Sequence, residues 1–161
     1  MSQLNLSKAS VSKDKYLVFS VARQGFAMPL LQVQEVIGLS ELRPIPGAPP
    51  YLLGVLTRRR RVIPTVDLAK LLGLEGNTTA RQVTIIYRLG HELIALKVES
   101  ADWVEGMSSE DIREAPPFSE VVVSRDLIAG IVERRGKLIM LLKMEACLSG
   151  ILADSKKKLS A

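Results

Sequence analysis

The strongest constraint on the fold is an internal repeat, in which one part of the sequence recurs further along the chain. At an offset of 76 residues, Gly54-Val55-Leu56 matches Gly130-Ile131-Val132, and the match continues without a gap to Leu148. An upstream stretch, residues 26–36, matches residues 94–104 at an offset of 68. A recurring segment of this kind is a supersecondary unit that buries its apolar face against its copy. The repeat therefore predicts two similar units packed together.

The length of the chain limits how these units are arranged. A chain of 161 residues suits one domain, because each unit alone is too small to be very stable. We predict a first unit at about 15–80 and a second at about 81–152, and leave open whether they exchange elements. A flexible N-terminal tail, residues 1–14, and a basic C-terminal tail, residues 153–161, are predicted to flank them.

Strand-like segments dominate both units. Apolar runs separated by turn residues lie at 16–21, 26–30, 52–56, 62–66, 83–87, 92–98, 127–132 and 138–142. Hairpin turns are predicted at Arg23-Gln24-Gly25 and at Gly90-His91. Short strands at this spacing favour a barrel or a sandwich.

Helices are predicted only in short pieces. One begins after Asp67, a preferred N-cap residue, and ends at Gly73. A second carries apolar side chains at helical spacing, namely Met144, Cys147, Leu148 and Ile151. The segment 108–111 predicts the start of a third.

The net charge of +5 raises the question of nucleic-acid binding. Seven of the 22 Lys and Arg residues lie in two runs, residues 58–61 and 156–158, and without them 15 basic residues face 17 acidic ones. The charge is therefore one basic cluster and a basic tail rather than a basic surface. This distribution argues against a nucleic-acid partner.

The sequence also indicates the cellular compartment in which the protein works. No segment approaches the roughly 18 uninterrupted apolar residues of a membrane span, so no membrane insertion is predicted. The first 15 residues lack the apolar core of a secretory signal. The single cysteine allows no internal disulfide. Together these features favour the reducing cytoplasm.

Candidate catalytic groups are few. The one histidine, His91, lies at a predicted turn, and the one cysteine, Cys147, lies on an apolar helical stripe. Glu110, Asp111 and Glu114 are better explained as an exposed helix face than as a paired-carboxylate site. The sequence contains no phosphate-binding loop and no zinc-ligand spacing. We therefore predict a protein that is not an enzyme and that uses no cofactor or metal.

Two features suggest contact with a partner. Residues 58–61, all arginine, fall in a predicted hairpin turn and are either solvated or bind a partner. A small barrel that binds nucleic acid also uses aromatic stacking platforms, and none of the seven aromatic residues lies within this run. Trp103 is either half-buried packing or an interface anchor.

Several motifs resemble the CheW family of chemotaxis coupling proteins. They extend over about residues 15–150, in order and at family spacing: Tyr16-Leu17-Val18-Phe19, Leu31-Gln32-Val33-Gln34-Glu35-Val36-Ile37, Pro46-x-x-Pro49-x-Tyr51-Leu52-x-Gly54-Val55, Val62-Ile63-Pro64-x-Val66-Asp67-Leu68, and a C-terminal set of Ala115-Pro116-x-Phe118, Gly130 and Gly136-Lys137-Leu138-Ile139. No single motif is decisive, but the collinear set is highly specific.

The resemblance implies a mainly β fold of two five-stranded SH3-like barrels with short helices. It also implies a non-catalytic adaptor between two partners, the cytoplasmic tip of a methyl-accepting chemoreceptor and the regulatory domain of a CheA-type histidine kinase. Such an adaptor is cytoplasmic and is recruited to membrane-associated receptor arrays. Glu35 and Arg59 match family positions that matter for coupling, and the resemblance implies that they form an ion pair or a receptor contact. Seven residues are predicted to bind partners: Val33, Glu35, Val36, Gly54, Arg58, Arg59 and Arg60.

This chain departs from the family in one motif. Where the family has Asn-Leu-Arg-Gly, the sequence reads Thr57-Arg58-Arg59-Arg60, whereas the second copy keeps its glycine as Gly136. If that glycine has a positive φ, an arginine there strains or reshapes the turn. Two alternatives therefore stay open. One is a specialised adaptor whose altered surface at residues 58–61 binds only one partner, and the other is a small-barrel nucleic-acid-binding protein.

Overall fold

The structure is a computed structural model that describes residues 14–75, 82–114 and 123–159. These residues form ten strands and two α-helices. The strands are β1 (Asp14–Val21), β2 (Gln24–Pro29), β3 (Val33–Ile37), β4 (Leu52–Arg58), β5 (Arg61–Asp67), β6 (Val83–Leu89), β7 (Glu92–Val98), β8 (Ser100–Met107), β9 (Ile128–Arg134) and β10 (Lys137–Leu142). The helices are α1 (Leu68–Leu71) and α2 (Met144–Leu159). Most of the predicted N-terminal tail and the Ala115-Pro116-x-Phe118 motif lie outside the described residues.

The strands form two five-stranded mixed sheets with one topology. The first has the order β8-β1-β2-β10-β9, and the second has the order β3-β6-β7-β5-β4. Each contains one parallel pair, with Leu141 opposite Ala27 in the first and Thr65 opposite Ala95 in the second. These positions are related by the same offsets, 76 and 68, that the sequence repeat shows. The predicted fold class, mainly β with two five-stranded units and short helices, is confirmed.

The two sheets are built from different stretches of chain. Strands β3 to β7 are consecutive and form what we call the central sheet, whereas β1, β2, β8, β9 and β10 form the terminal sheet. Each sheet therefore draws strands from both sides of residue 80. The proposed division of the chain into units at about 80 stays a prediction.

Apolar side chains form three buried clusters. The largest lies between the sheets and receives Leu17 and Phe19 of β1 together with Ile85 of β6 and Leu148 of α2. Val18, on the opposite face of β1, belongs to a smaller cluster inside the terminal sheet. Another small cluster lies inside the central sheet. Strand alternation thus gives each sheet two buried faces, and the shared cluster joins them into one body.

Gly54 on β4 and Gly130 on β9 mark a repeated close approach of two backbones. A Cβ at Gly54 would lie 2.4 Å from the carbonyl oxygen of Arg43, and one at Gly130 would lie 3.0 Å from that of Arg113. In both places the passing segment forms a β-bridge to the glycine's own strand. Gly54 also has a φ of 146°, which side-chain-bearing residues rarely adopt. The glycine positions a connecting segment in each unit.

The helix predictions had mixed outcomes. Asp67 caps α1 by accepting a hydrogen bond from the Lys70 amide, and Gly73 follows at a φ of 75°, so this helix is confirmed. Helix α2 is also confirmed and extends to Leu159, so the predicted basic tail is helical through that residue. The predicted helix at 108–111 is wrong. Those residues form a turn in which the Asp111 carboxylate accepts hydrogen bonds from the Ser108 amide and hydroxyl.

Candidate partner-binding site

The predicted site centres on an ion pair between Glu35 and Arg58. Arg58 donates from Nε to Oε2 over 2.9 Å and from Nη2 to Oε1 over 2.8 Å, which is the bidentate geometry. The Nη2 atom of Arg59 lies 4.0 Å from the same Oε1. The main partner of Glu35 is therefore Arg58, and Arg59 is only a distant second.

Strand alternation explains why Arg58 rather than Arg59 faces Glu35. Arg58 is the last residue of β4 and lies on the same face as Leu56, which is buried inside the central sheet. Glu35 lies on the same face of β3 as Ile37, which packs on that inner cluster. Arg59 is already in the turn. Because β3 and β4 are the two edges of the central sheet, the ion pair shows that the sheet curls until these edges approach each other. We call this partly open arrangement the central barrel.

The turn itself holds two arginines in a left-handed conformation. Arg59 has a φ of 51° and Arg60 a φ of 66°, between the paired residues Arg58 and Arg61. Such two-residue hairpins need positive φ at both central positions and normally contain Asn or Gly there. The expected strain at Arg60 is therefore present, and it is accommodated without a change of turn. We call residues 58–61 the arginine hairpin.

The electrostatics of the hairpin favour a charged Glu35. The hydrogen bond from Arg58, assisted by the charges of Arg58 and Arg59, holds the pKa of Glu35 below its ordinary value. The same hydrogen bond raises the pKa of Arg58. Arg59 is 80% exposed, and Arg60 and Arg61 are exposed as well. One carboxylate thus neutralises one of four guanidinium groups in this cluster.

A cavity of about 560 Å³ opens beside the arginine hairpin. Its charged side is formed by Glu35, Arg58, Arg59 and Arg61, whereas Ile63, Ile86 and Leu93 form its apolar side. These three apolar residues belong to the cluster inside the central sheet. The cavity is therefore the open end of the central barrel.

The terminal sheet has a matching arrangement that the sequence reasoning missed. Arg134, which corresponds to Arg58 at the offset of 76, pairs with Glu105 on the opposite edge strand β8 and with Asp111 at 3.3 Å. Trp103 donates to Glu105 over 2.7 Å, and the Arg135 guanidinium lies 4.0 Å above the Trp103 ring. Trp103 is half-buried packing covered by a cation. One signal in the sequence could have indicated this pair. Arg134 is the repeat counterpart of Arg58, so an acidic partner for it, such as Glu105, was to be expected.

The other predicted site residues do not all join the ion pair. Val33 is partly buried against the cluster between the sheets. Val36 is 43% exposed on the face of β3 opposite Glu35. Gly54 packs against Arg43 inside the fold and presents no side chain. The structure brings Glu35, Arg58 and Arg59 together and places Arg60 exposed in the same turn. Val33, Val36 and Gly54 take no part in the ion pair.

A second open surface lies between the two sheets. A cavity of about 600 Å³ is formed mainly by Pro29, Gln32, Tyr87, Leu89, Met144 and Ala146. Leu31 lies between two of these residues and is 87% exposed. Burial raises the pKa of Tyr87 to about 12, so its hydroxyl stays neutral. Arg88, Lys143 and Glu145 also line the cavity, so charged groups surround its apolar part. A groove of this kind accepts an apolar helix face.

His91 and Cys147 are placed as the sequence suggested, whereas Glu110, Asp111 and Glu114 do not lie on a helix face. His91 is exposed in the turn between β6 and β7. Cys147 is buried, and burial raises the pKa of its thiol to about 11. Within residues 14–75, 82–114 and 123–159, no group of three or more acidic, histidine or cysteine side chains is placed to hold a metal ion. No helix in those ranges is long and apolar enough to cross a membrane.

Comparison with known proteins decides the family. The CheW-like domain profile matches residues 15–151, nearly the whole chain. The chain belongs to the CheW family. A probable chemotaxis protein CheW of Rhizobium etli is 30% identical over 84% of this chain and 88% of its own length. A chemotaxis protein CheW of Rhizobium meliloti is 28% identical over 81% of this chain and 84% of its own length.

The crystal structure of the scaffolding protein TtCheW from Thermoanaerobacter tengcongensis has the same fold. It superposes with a TM-score of 0.75 over 82% of this chain and 85% of its own, at 24% identity. The resemblance inferred from the motifs is confirmed. So is the predicted class of function, a non-catalytic chemotaxis scaffold of the CheW type.

Proposed function

We propose that this CheW-family protein links the cytoplasmic tip of a methyl-accepting chemoreceptor to the regulatory domain of a CheA-type histidine kinase. It acts in the cytoplasm, at membrane-associated receptor arrays. The observation that carries the proposal is the presence of two open surfaces of different chemistry on one double-sheet fold. One is the apolar groove between the sheets, and the other is the charged end of the central barrel.

The receptor binds in the groove between the sheets. A receptor tip is a helical hairpin, and an amphipathic helix binds by placing its apolar face in a groove. Leu31, which is 87% exposed at this groove, is the natural apolar contact. Gln32 and Val33 follow it and lead directly into β3, which carries Glu35. Receptor binding at the groove is therefore connected through one short segment to the charged end of the barrel.

The kinase regulatory domain binds at the charged end of the central barrel. That domain shares the CheW fold, so its β-strands can pack against the exposed edges of the central sheet. Glu35, Arg58, Arg59 and Arg60 supply the polar contacts, while Val36 supplies apolar surface on β3. Gly54 keeps the connecting segment beside β4 in place. Glu35 and Arg58 form a partly buried pair at the edges of the central sheet and orient these edge strands for the contact.

The test is co-purification of the protein with a cognate kinase regulatory domain and with a receptor fragment, followed by measurement of each affinity. Leu31→Ser is expected to weaken receptor binding about tenfold, because the loss of a buried leucine contact costs about 1.4 kcal/mol or more. Leu39→Ser, at a leucine that is 60% exposed outside the groove residues, is the matched control. Binding to neither partner would refute the proposal.

A second candidate is an adaptor that binds only one of the two partners. The altered hairpin favours it, because Arg58 and Arg60 stand where the family motif has leucine and glycine. Pairwise affinities decide between the candidates. If the double variant Arg58→Leu, Arg60→Gly gains a partner that the natural protein does not bind, the one-partner adaptor is supported.

A further inference from the structure

Among the residues that the structure describes, the arginine hairpin carries more positive charge than the neighbouring carboxylates compensate. Arg58 is paired with Glu35, and Arg59 has that same carboxylate only at 4.0 Å. Arg60 and Arg61 are exposed on the same hairpin. Like charges at such short separations repel each other, and an opposite charge brought by a partner relieves that repulsion.

The corresponding hairpin of the terminal sheet shows what a compensated version looks like. Arg134 there has two carboxylates, those of Glu105 and Asp111. Arg135 is held over the Trp103 ring. The two hairpins thus have the same backbone geometry, but Arg134 and Arg135 have partners within the terminal sheet, whereas the arginine hairpin keeps excess positive charge.

The turn does not require arginine at its tip. Gly136 occupies the position of Arg60 in the terminal hairpin, at a φ of 72° against 66°. A left-handed conformation strains a residue that has a side chain and does not strain glycine. The arginine at this position therefore adds charge at the expense of stability.

The surroundings of the hairpin combine charge with apolar surface. Ile63, Ile86 and Leu93 line the cavity beneath the arginines. Val62, next to the hairpin, is 58% exposed. A ligand that complements this surface has carboxylates for the arginines and at least one apolar side chain for the cavity.

We propose that the arginine hairpin binds an acidic segment of a partner protein, in which carboxylates pair with Arg59, Arg60 and Arg61 and a neighbouring apolar side chain enters the cavity. This inference rests on the proposed function, since the segment belongs to the partner that meets the charged end of the barrel. It adds the chemistry by which that partner is selected.

A protein segment fits this surface better than nucleic acid or a membrane does. Nucleic-acid strands on small barrels stack on aromatic side chains, and no aromatic residue lines this cavity in the described chain. A membrane presents a broad plane of charge, whereas the apolar side of this site lies within a cavity. The carboxylate of Glu35 inside the cluster also disfavours a multiply charged phosphate.

The experiment measures binding of a synthetic peptide of Glu-Glu-Leu repeats to the full-length protein, together with a Gln-Gln-Leu peptide, anionic phosphatidylglycerol vesicles and a short DNA. The variants are Arg61→Glu and Lys137→Glu. Lys137 is the residue at the offset of 76 from Arg61 and is also exposed at the start of its strand, so both variants change the net charge equally.

We expect the acidic peptide to bind, with an affinity that falls as salt is added, and the glutamine peptide not to bind. Arg61→Glu should weaken binding at least tenfold, whereas Lys137→Glu should change it less than twofold. Equal losses in both variants, or preferential binding of vesicles or DNA, would overturn the proposal. The peptide assay contains no kinase or receptor, so the peptide can bind even if the protein does not link those two partners. Conversely, the kinase domain can co-purify with the protein even if the peptide does not bind.

Discussion

Arg60 and Gly136 occupy the same position in two hairpins that lie 76 residues apart, with φ angles of 66° and 72°. The two turns have nearly the same backbone conformation although one residue has a side chain and the other does not. The surrounding strands therefore impose the turn, and the residue at its tip adapts to it. Stability is lost at Arg60 and not at Gly136.

Replacing Arg60 with glycine should stabilise the protein. The left-handed backbone costs arginine about 1 kcal/mol relative to glycine, so Arg60→Gly is expected to raise the free energy of unfolding by about that amount. The converse change, Gly136→Arg, should lower it similarly. Urea unfolding measures both. An unchanged stability in both variants would show that the turn is not strained.

Gly54 should not tolerate even a methyl group. A Cβ would lie 2.4 Å from the Arg43 carbonyl oxygen, and the backbone has a φ of 146°. Gly54→Ala is therefore expected to lose about 2–4 kcal/mol of stability, or to prevent folding. Gly150→Ala is the control, because that position in α2 has open space and an exposed helical glycine gains about 0.5–1 kcal/mol on change to alanine. Equal effects of the two changes would contradict the predicted close approach.

The ion pair of the terminal sheet should make stability depend on pH. Burial opposes ionisation of Glu105, but hydrogen bonds from Trp103 and Arg134 outweigh it and lower its pKa. The stabilising effect is thus present above the ordinary value of 4.5 and is lost as the pH falls through the lowered pKa. Glu105→Gln should be less stable than the natural protein at pH 7, and the difference should shrink toward pH 3.

Urea unfolding at several pH values measures that difference. Glu133→Gln, at an exposed position of β9, serves as the control and should change stability little at any of them. A Glu105→Gln deficit that stays constant from pH 7 to pH 3 would mean that the carboxylate charge is not what stabilises the sheet edge.

Cys147 should be unreactive in the folded protein. Its side chain is buried in the cluster between the sheets, and burial raises its pKa to about 11 from 9.0. At pH 8 we expect slow alkylation by iodoacetamide, accelerating sharply in denaturing urea. Rapid alkylation without denaturant would show that the thiol is accessible.

Much of the fold could be predicted because the relevant signals are local or repeated. The offsets of 68 and 76 reappear as equivalent strand pairs, and Asp67 and Gly73 bound α1 as their side-chain chemistry suggests. The segment at 108–111 was misjudged because Ser and Asp cap turns as readily as helices. Its Asp111 side chain satisfies the Ser108 amide within a turn instead of starting a helix.

The charged site was predicted only in part. The sequence identifies Glu35 and the arginines, and the family motif implies an ion pair or a receptor contact for Glu35 and Arg59. Hairpin register instead directs Arg58 toward Glu35. Register depends on where the turn begins, and a run of four identical residues gives no local signal of that point. The pairing of Glu105 with Arg134 was missed because it joins strands that come together only in the closed sheet.

The terminal sheet has a consequence for how the protein is made. Strands β1 and β2 leave the ribosome before the central sheet, but their neighbours β8 and β10 leave it after the central sheet. The central sheet comes from one continuous segment and can fold in the interval. Until β8 and β10 have been synthesised, the hairpin of β1 and β2 has two unpaired edges, which invite pairing with the wrong chain. The rate of translation, and any chaperone that covers that hairpin, therefore influences how many copies of this adaptor reach their native state.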